Sequence, residues 1–217
     1  MKKLILGLAV TAGSLAFAQT TTTTTTTRSM SSSDVRFGIK GGMNVSSLSD
    51  NADLADQGSK IGFNAGLFAN IPIAESFSIQ PEVLYTQYGD KYDQVVLGNR
   101  YSYANHLDYV AVPVMFQYNF IPNLYVEAGP EFGFMVSAKN KAKNETNNDV
   151  IAESGNYKDN FNTFNVGIGL GAGYYFTDNI GLTARYVAGV TDIAKDRPNG
   201  SDAIRNNVFQ VGLAYKF

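Results

Sequence analysis

From Val35 to Phe217 apolar side chains return at every second position in one segment after another, and few folds can use such a pattern. A period of two is that of a β-strand, whose successive side chains point to opposite faces. In the first segment Val35, Phe37, Ile39, Met43 and Val45 share a face, and Arg36, Gly38, Lys40, Gly42, Asn44 and Ser46 share the other. The alternation recurs in Lys60–Ile71, Ser76–Tyr88, Leu107–Phe120, Leu124–Ser137, Asn162–Phe176, Ile180–Asp192 and Arg205–Phe217. Leu107–Phe120 is apolar on both faces; Val110, Val112, Val114, Phe116 and Tyr118 are expected outward, and Tyr109, Ala111, Pro113, Met115 and Gln117 inward.

The connections alternate in length. Ser47–Ser59, Gly89–His106, Ala138–Phe161 and Ile193–Ile204 are long and polar, whereas Pro72–Glu75, Ile121–Asn123 and Thr177–Asn179 are tight. Long exterior loops opposite short periplasmic turns characterise outer-membrane barrels. The rings gather at segment ends: Phe77, Tyr118, Phe120, Tyr174, Phe176, Tyr215 and Phe217 near the tight turns, and Tyr85, Tyr88, Phe134 and Phe164 toward the long loops. Two aromatic girdles at the membrane interfaces would look like this, built from Tyr and Phe because the chain has no Trp. A soluble sandwich or lipocalin-like barrel also alternates but has no use for such girdles. An open sheet edge in lipid would leave backbone groups unpaired, so the sheet must close. The expected fold is all-β: an eight-stranded antiparallel transmembrane β-barrel, an up-and-down meander with both ends periplasmic.

The N-terminal residues are consistent with export. Met1-Lys2-Lys3 is a positive n-region, Leu4 to Ala12 an apolar stretch too short to span a bilayer, and Ala16-Phe17-Ala18 a small-x-small cleavage pattern. Residues 1–18 read as a signal peptide cleaved after Ala18 and 19–34 as a Thr/Ser-rich disordered leader, with threonine unbroken from Thr20 to Thr27; 35–217 form the barrel. Without Cys there is no disulfide scaffold, Cys-ligated metal or lipidated N-terminus. A net charge of −2 argues against a nucleic-acid partner.

Several stretches, in order, resemble the PorT-like outer-membrane β-barrel proteins of the Bacteroidota. They are Phe37-Gly-Ile-Lys-Gly-Gly-Met-Asn-Val-Ser46, Ile79-Gln-Pro-Glu-Val-Leu-Tyr85, Tyr109-Val-Ala-Val-Pro-Val-Met-Phe-Gln-Tyr118, Val126-Glu-Ala-Gly-Pro-Glu-Phe-Gly133, Leu182-Thr-Ala-Arg-Tyr186 and Gly212-Leu-Ala-Tyr-Lys-Phe217. The resemblance implies an eight-stranded outer-membrane barrel and no particular molecular function. Ala111 departs from it, standing where the family often carries Glu. The terminal alternation of Phe209, Val211, Leu213, Tyr215 and Phe217 resembles the signal by which barrel-assembly machinery recognises its substrates.

By parity Arg36, Lys40, Glu82, Glu127, Glu131 and Arg185 all point into the bore, three cations meeting three anions. A bore of eight strands is just wide enough for side chains to fill, so these charges read as a structural network inside a plugged lumen. Gly167, Gly169, Gly171 and Gly173 would make room for long neighbours such as Arg185 and Tyr175; spaced by two within a strand, they do not form a phosphate loop. Glu127 and Glu131 sit where no substrate reaches them, and His106 near Asp108 is the one candidate for an enzymatic base, with Ser102 and Ser137 too ordinary to add weight. The loop acids and amides, among them Asp90, Asp93, Asp149 and Glu153, read as solvated. The expectation is a non-enzymatic scaffold, with no cofactor and no metal, displaying four extracellular loops. Its partners would be outer-membrane lipid, the assembly machinery, and a protein or glycan at the loops. The alternative is a narrow channel or a conduit for small hydrophobic ligands. If export proceeds as written, mature protein begins at Gln19, and intact mass or N-terminal sequencing of material from membranes will show it; a chain retaining Met1 would contradict the signal-peptide assignment.

Overall fold

The computed structural model describes residues 34–49, 57–96, 99–144, 149–156, 158–195 and 203–217. The segments expected as signal peptide and leader, up to residue 33, lie outside the described residues, as do the central parts of the Ser47–Ser59 and Ile193–Ile204 connections. The strands are β1 (Arg36–Ser49), β2 (Gln57–Ala74), β3 (Phe77–Val96), β4 (Asn99–Ile121), β5 (Leu124–Asn144), β6 (Asp149–Glu153), β7 (Phe164–Tyr175), β8 (Ile180–Gly189) and β9 (Arg205–Lys216). Every pairing is antiparallel. The ladder runs β4-β3-β2-β1-β9-β8-β7-β5, and pairing of β4 with β5 closes it into a ring of eight; β6 hangs on β5 outside the ring.

The ring closes in chain order except at one seam, where β1 meets β9 with Met43 opposite Val211 and Gly42 opposite Gly212. A Cβ on Gly42 would fall against the Val211 carbonyl and the Gly212 Cα, so the first and last strands approach there at glycine-only distance. Parity follows the expected pattern on every strand, including β4, where Tyr109, Ala111 and Met115 are fully buried and Phe116 is exposed. Outside the ring stand Phe37, Ile39, Met43, Leu67, Val83, Ile168, Leu170, Leu182, Leu213 and their neighbours, a belt of large apolar side chains exposed among the described residues. Exposed apolar surface on this scale marks an interaction surface, and on a closed ring the partner is hydrocarbon. From Phe164 to Phe176 the chain covers about 40 Å at ~3.3 Å per residue, or about 30 Å of height at a strand tilt near 40°. That matches a bilayer core.

Three features differ from expectation. Two of the four segments expected as long loops, Gly89–His106 and Ala138–Phe161, carry extended strand: β3 and β4 stay paired out to Val96 and Asn99, and β5 continues to Asn144 before β6 folds back on it. Alternation fades where the lipid belt ends, because above it the outer face meets water and no longer needs apolar side chains; the backbone ladder continues without that signature. Second, Tyr88 is 2% exposed and points into the bore, one position out of phase with the girdle residue Tyr85. Third, β5 carries a bulge: Tyr109 pairs with Met135 and Asp108 with Ser137, leaving Val136 as an extra residue. Beyond it the faces exchange, so Ala138 and Ala142 turn inward while Lys139 and Lys141 turn outward. Gly89, at φ 130, occupies backbone that other residues rarely adopt, at the level where β3 leaves the belt.

Arginine at mid-belt tests this orientation. Leu170→Arg and Leu213→Arg are each expected to cost about 2–4 kcal/mol in denaturant unfolding from bilayers, and Val150→Arg, on the exposed β6, less than about 1 kcal/mol.

Candidate functional site

The bore holds the chain's unusual chemistry, because each strand sends its polar parity there. Arg185 on β8 lies at its centre, 1% exposed. Its Nη1 donates to Glu82 Oε2 at 2.9 Å and its Nη2 to Glu82 Oε1 at 2.7 Å, a two-pronged contact from β3, while Nε donates to Glu127 Oε1 on β5 at 2.7 Å. Lys40 Nζ on β1 approaches Glu82 Oε1 at 3.3 Å. The remaining carboxylate valence is met by amides: Gln80 Nε2 donates to Glu82 Oε1 at 2.9 Å, and Gln117 Nε2 to Glu127 Oε2 at 3.0 Å. Room for the guanidinium comes from β7. Gly171 is the register partner of Arg185, and a Cβ on Gly169 would touch the Met115 methyl and come within 3.5 Å of Arg185 Cδ.

Below this centre, toward the tight turns, Asn70 Nδ2 donates to Ser78 Oγ (3.0 Å) and Gln117 Oε1 (2.9 Å), next to a cluster of Phe68, Tyr125, Tyr175 and Ala214. Tyr125 fills the space that a side chain at Gly173 would need, and Tyr175 lies over Gly181. Lys216 Nζ sits 3.8 Å above the Tyr175 ring centroid, a cation–π contact. Arg36 and Lys216 line a cavity of about 560 Å³ at this mouth. Arg36 therefore stands apart from the central network, against the expectation that it would meet the carboxylates. Two cations, Lys40 and Arg185, face Glu82 and Glu127 in place of three facing three.

Above the centre Glu131 is also buried, but its contact is a phenol: Tyr88 Oη donates to Oε1 at 2.6 Å, and Oε2 has no partner among the described residues. Gln210 Nε2 donates to Tyr88 Oη at 3.3 Å, Lys60 Nζ to the Tyr88 carbonyl at 2.9 Å, and Asn206 Nδ2 to Tyr109 Oη at 3.1 Å. An apolar layer then spans the bore: Leu107, Tyr109, Met135, Ala138, Val187, Ile193 and Val208, with Leu48, Phe161 and Ile204 packed against it. Ile193 comes from the connection after β8, expected to be wholly exterior, yet it is fully buried. It is tied in place because Asp192 Oδ1 accepts from Ala194 N (3.0 Å) and Ile204 N (3.1 Å), and the Ile193 carbonyl accepts from Asn162 N (2.9 Å).

Of the six charged residues expected in the bore, Lys40, Glu82, Glu127 and Arg185 come together, Glu131 bonds to Tyr88 instead, and Arg36 stands at the mouth. The amides Asn70, Gln80, Gln117 and Gln210 were not singled out, though their parity marks them as inward. The inward aromatics Phe68, Tyr88, Tyr125 and Tyr175 share that parity, but polarity separates them from belt residues poorly. His106 lies above the belt beside Lys139, where burial, and then the Lys60 and Lys141 ammonium groups, hold its imidazole below the usual range. Ser102 is buried, and the loop acids pair locally: Asp90 accepts from Asn105 Nδ2 at 2.7 Å, Asp93 lies 3.7 Å from Lys91, and Glu153 lies 3.5 Å from Lys141. The Asp149 side chain lies outside the described residues. Among the described residues no three His, Cys, Asp or Glu side chains gather as a metal site.

Solved structures similar to this chain include three outer-membrane barrels. Ail, the attachment invasion locus protein of Yersinia pestis, shares 13% identity over 84% of this chain and 98% of its own, at a TM-score of 0.48. Neisserial surface protein A shares 16% over 83% and 97%, at 0.45, and OprG of Pseudomonas aeruginosa 15% over 84% and 95%, at 0.38. No curated protein matches the sequence. The family model described as the outer membrane protein beta-barrel domain matches residues 17–195, most of the length. Located in the outer membrane, the chain belongs to the outer membrane protein β-barrel domain family.

Proposed function

We propose that this barrel is a non-enzymatic structural and interaction scaffold, with a filled lumen and with its extracellular strands and loops as the part that meets other molecules. The observation that carries this reading is Arg185, buried at membrane depth and bonded to both Glu82 and Glu127, with the apolar layer around Ile193 above it. Each ion in such a network would cost several kcal/mol to leave unpaired, so the network opposes its own opening. A solute crossing the barrel would have to break it and displace Ile193. The six inner charges are read as structural, with Arg36 at the periplasmic mouth. The terminal alternation Phe209 to Phe217, which faces outward on β9, is read as the assembly signal. Within its family we place the chain with the PorT-like barrels, on the motifs quoted above.

Nothing brought together in the bore serves catalysis. Glu127 and Glu131 are enclosed, and His106 lies outside, beside a lysine-bearing strand.

Two experiments test this. Arg185→Met, which strands Glu127 and leaves Glu82 with Lys40 alone, is expected to lose about 3–5 kcal/mol of unfolding free energy, and Arg185→Met combined with Lys40→Met, Glu82→Leu and Glu127→Leu is expected to recover much of that loss. In planar bilayers the purified protein is expected to show no steady openings; steady conductance abolished by Glu127→Gln would overturn the filled-lumen reading in favour of a channel.

A further inference from the structure

The Val136 bulge has its clearest consequence just above the belt. Below it β5 presents Phe132, Phe134 and Val136 to lipid, and above it the same outward face presents Lys139, Lys141 and Lys143. Without the inserted residue these lysines would turn toward the barrel axis, and Asn140 and Asn144 would face out. Opposite the three lysines β4 places His106, Ala104 and Ser102, and beyond these β3 places Gly89, Lys91 and Asp93, with Arg100 farther along β4. Strands lie about 4.8 Å apart, so Lys91 and the lysines of β5 form rails about 10 Å apart over a floor of small side chains.

The face is positive in a chain whose net charge is −2. Lys91, Arg100, Lys139, Lys141 and Lys143 are set against Asp93, which lies 3.7 Å from Lys91 and 4.0 Å from Arg100, and Glu153, which lies 3.9 Å from Lys139 and 3.5 Å from Lys141. Asp108, one step nearer the membrane, is a third acid, and the balance still favours the cations by two. Burial, and then the Lys60 and Lys141 ammonium groups, oppose protonation of His106. Because the bulge sets two residues of β5 against one of β4, Lys139 lies between two and three rungs beyond Val136, about 8 Å along a tilted strand or about 6 Å above the last apolar position. That is headgroup depth. Lysine stems can lie along the apolar surface while their ammonium groups reach for anions.

We propose that the outward face of β3, β4 and β5 above the belt binds the phosphate groups of the phosphorylated glycolipid of the outer leaflet. The bulge sets the register of this contact: it ends the hydrocarbon face and begins the cationic one within the same strand.

The test uses full-length protein in detergent micelles, titrated with diphosphorylated lipid A, with the same lipid stripped of phosphate, and with inorganic phosphate. Saturable binding is expected for the diphosphorylated lipid, at least about tenfold tighter than for either other probe. Replacing Lys139, Lys141 and Lys143 together by Gln is expected to weaken it by on the order of tenfold to a hundredfold, and replacing them by Arg to preserve it. Heat-modifiability on a gel verifies that each variant is folded, and for wild type the affinity should fall as salt rises. Equal binding of the phosphate-free lipid, equal binding by the folded Gln variant, or binding by inorganic phosphate as tight as by the lipid would overturn the proposal. So would preferential capture of a soluble sulfated oligosaccharide that the lipid does not displace.

Discussion

In hydrocarbon no water is available to satisfy a backbone N–H or carbonyl, and the rest of this architecture depends on that. A sheet placed there must have no edge, which is why β1 returns to β9 across a seam narrow enough to require glycine at Gly42 and Gly212. Once the ring is closed its two faces have different solvents, and the side-chain period of two sorts residues between them. The belt of Leu67, Ile168, Leu170 and Leu213 and the bore of Glu82, Glu127 and Arg185 are two consequences of one constraint.

The same constraint makes the bore expensive. Charges at membrane depth are tolerated only when paired and hydrogen-bonded, and the eight-stranded diameter brings partners from distant strands within reach of each other. Arg185 spans the space between β8, β3 and β5 because β7 contributes glycine where it would otherwise be crowded. Glutamines complete the carboxylate shells, and rings seated on glycine fill the space below. Glu131 differs from Glu82 and Glu127 in leaning on a tyrosine rather than a cation, and one of its oxygens is left over.

Much of this was legible in the sequence. The strand count, the tight turns, the parity of every segment and the inward course of Lys40, Glu82, Glu127 and Arg185 follow from a period of two, which a residue cannot leave without changing solvent. Legibility ends where the outer face no longer meets hydrocarbon. Above the belt β3, β4 and β5 continue as ladder while reading as polar loop, and no local signal announces that Val136 is doubled against its partner strand. Tyr88 shows a second limit, since an aromatic with a hydroxyl is acceptable both at an interface and in a polar bore, and only its phase with Tyr85 separates the two. Arg36 shows a third: parity says which way a side chain points and not how far along the axis it lies, so an inward arginine at the start of β1 ends at the mouth beside Lys216. Ile193 was hidden for a related reason, because a polar connection gave no hint that one of its residues would be fully buried in the bore.

The central claim is that one parity touches hydrocarbon while the other fills a closed bore, and the absence of native Trp makes it directly measurable. Single tryptophans at Leu170, Leu213, Met115 and Tyr109, in protein reconstituted with lipids brominated along their acyl chains, report contact with hydrocarbon by quenching. Strong quenching at Leu170 and Leu213 with little at Met115 and Tyr109 is the predicted result. Equal quenching at all four sites, or none at the first two, would contradict it.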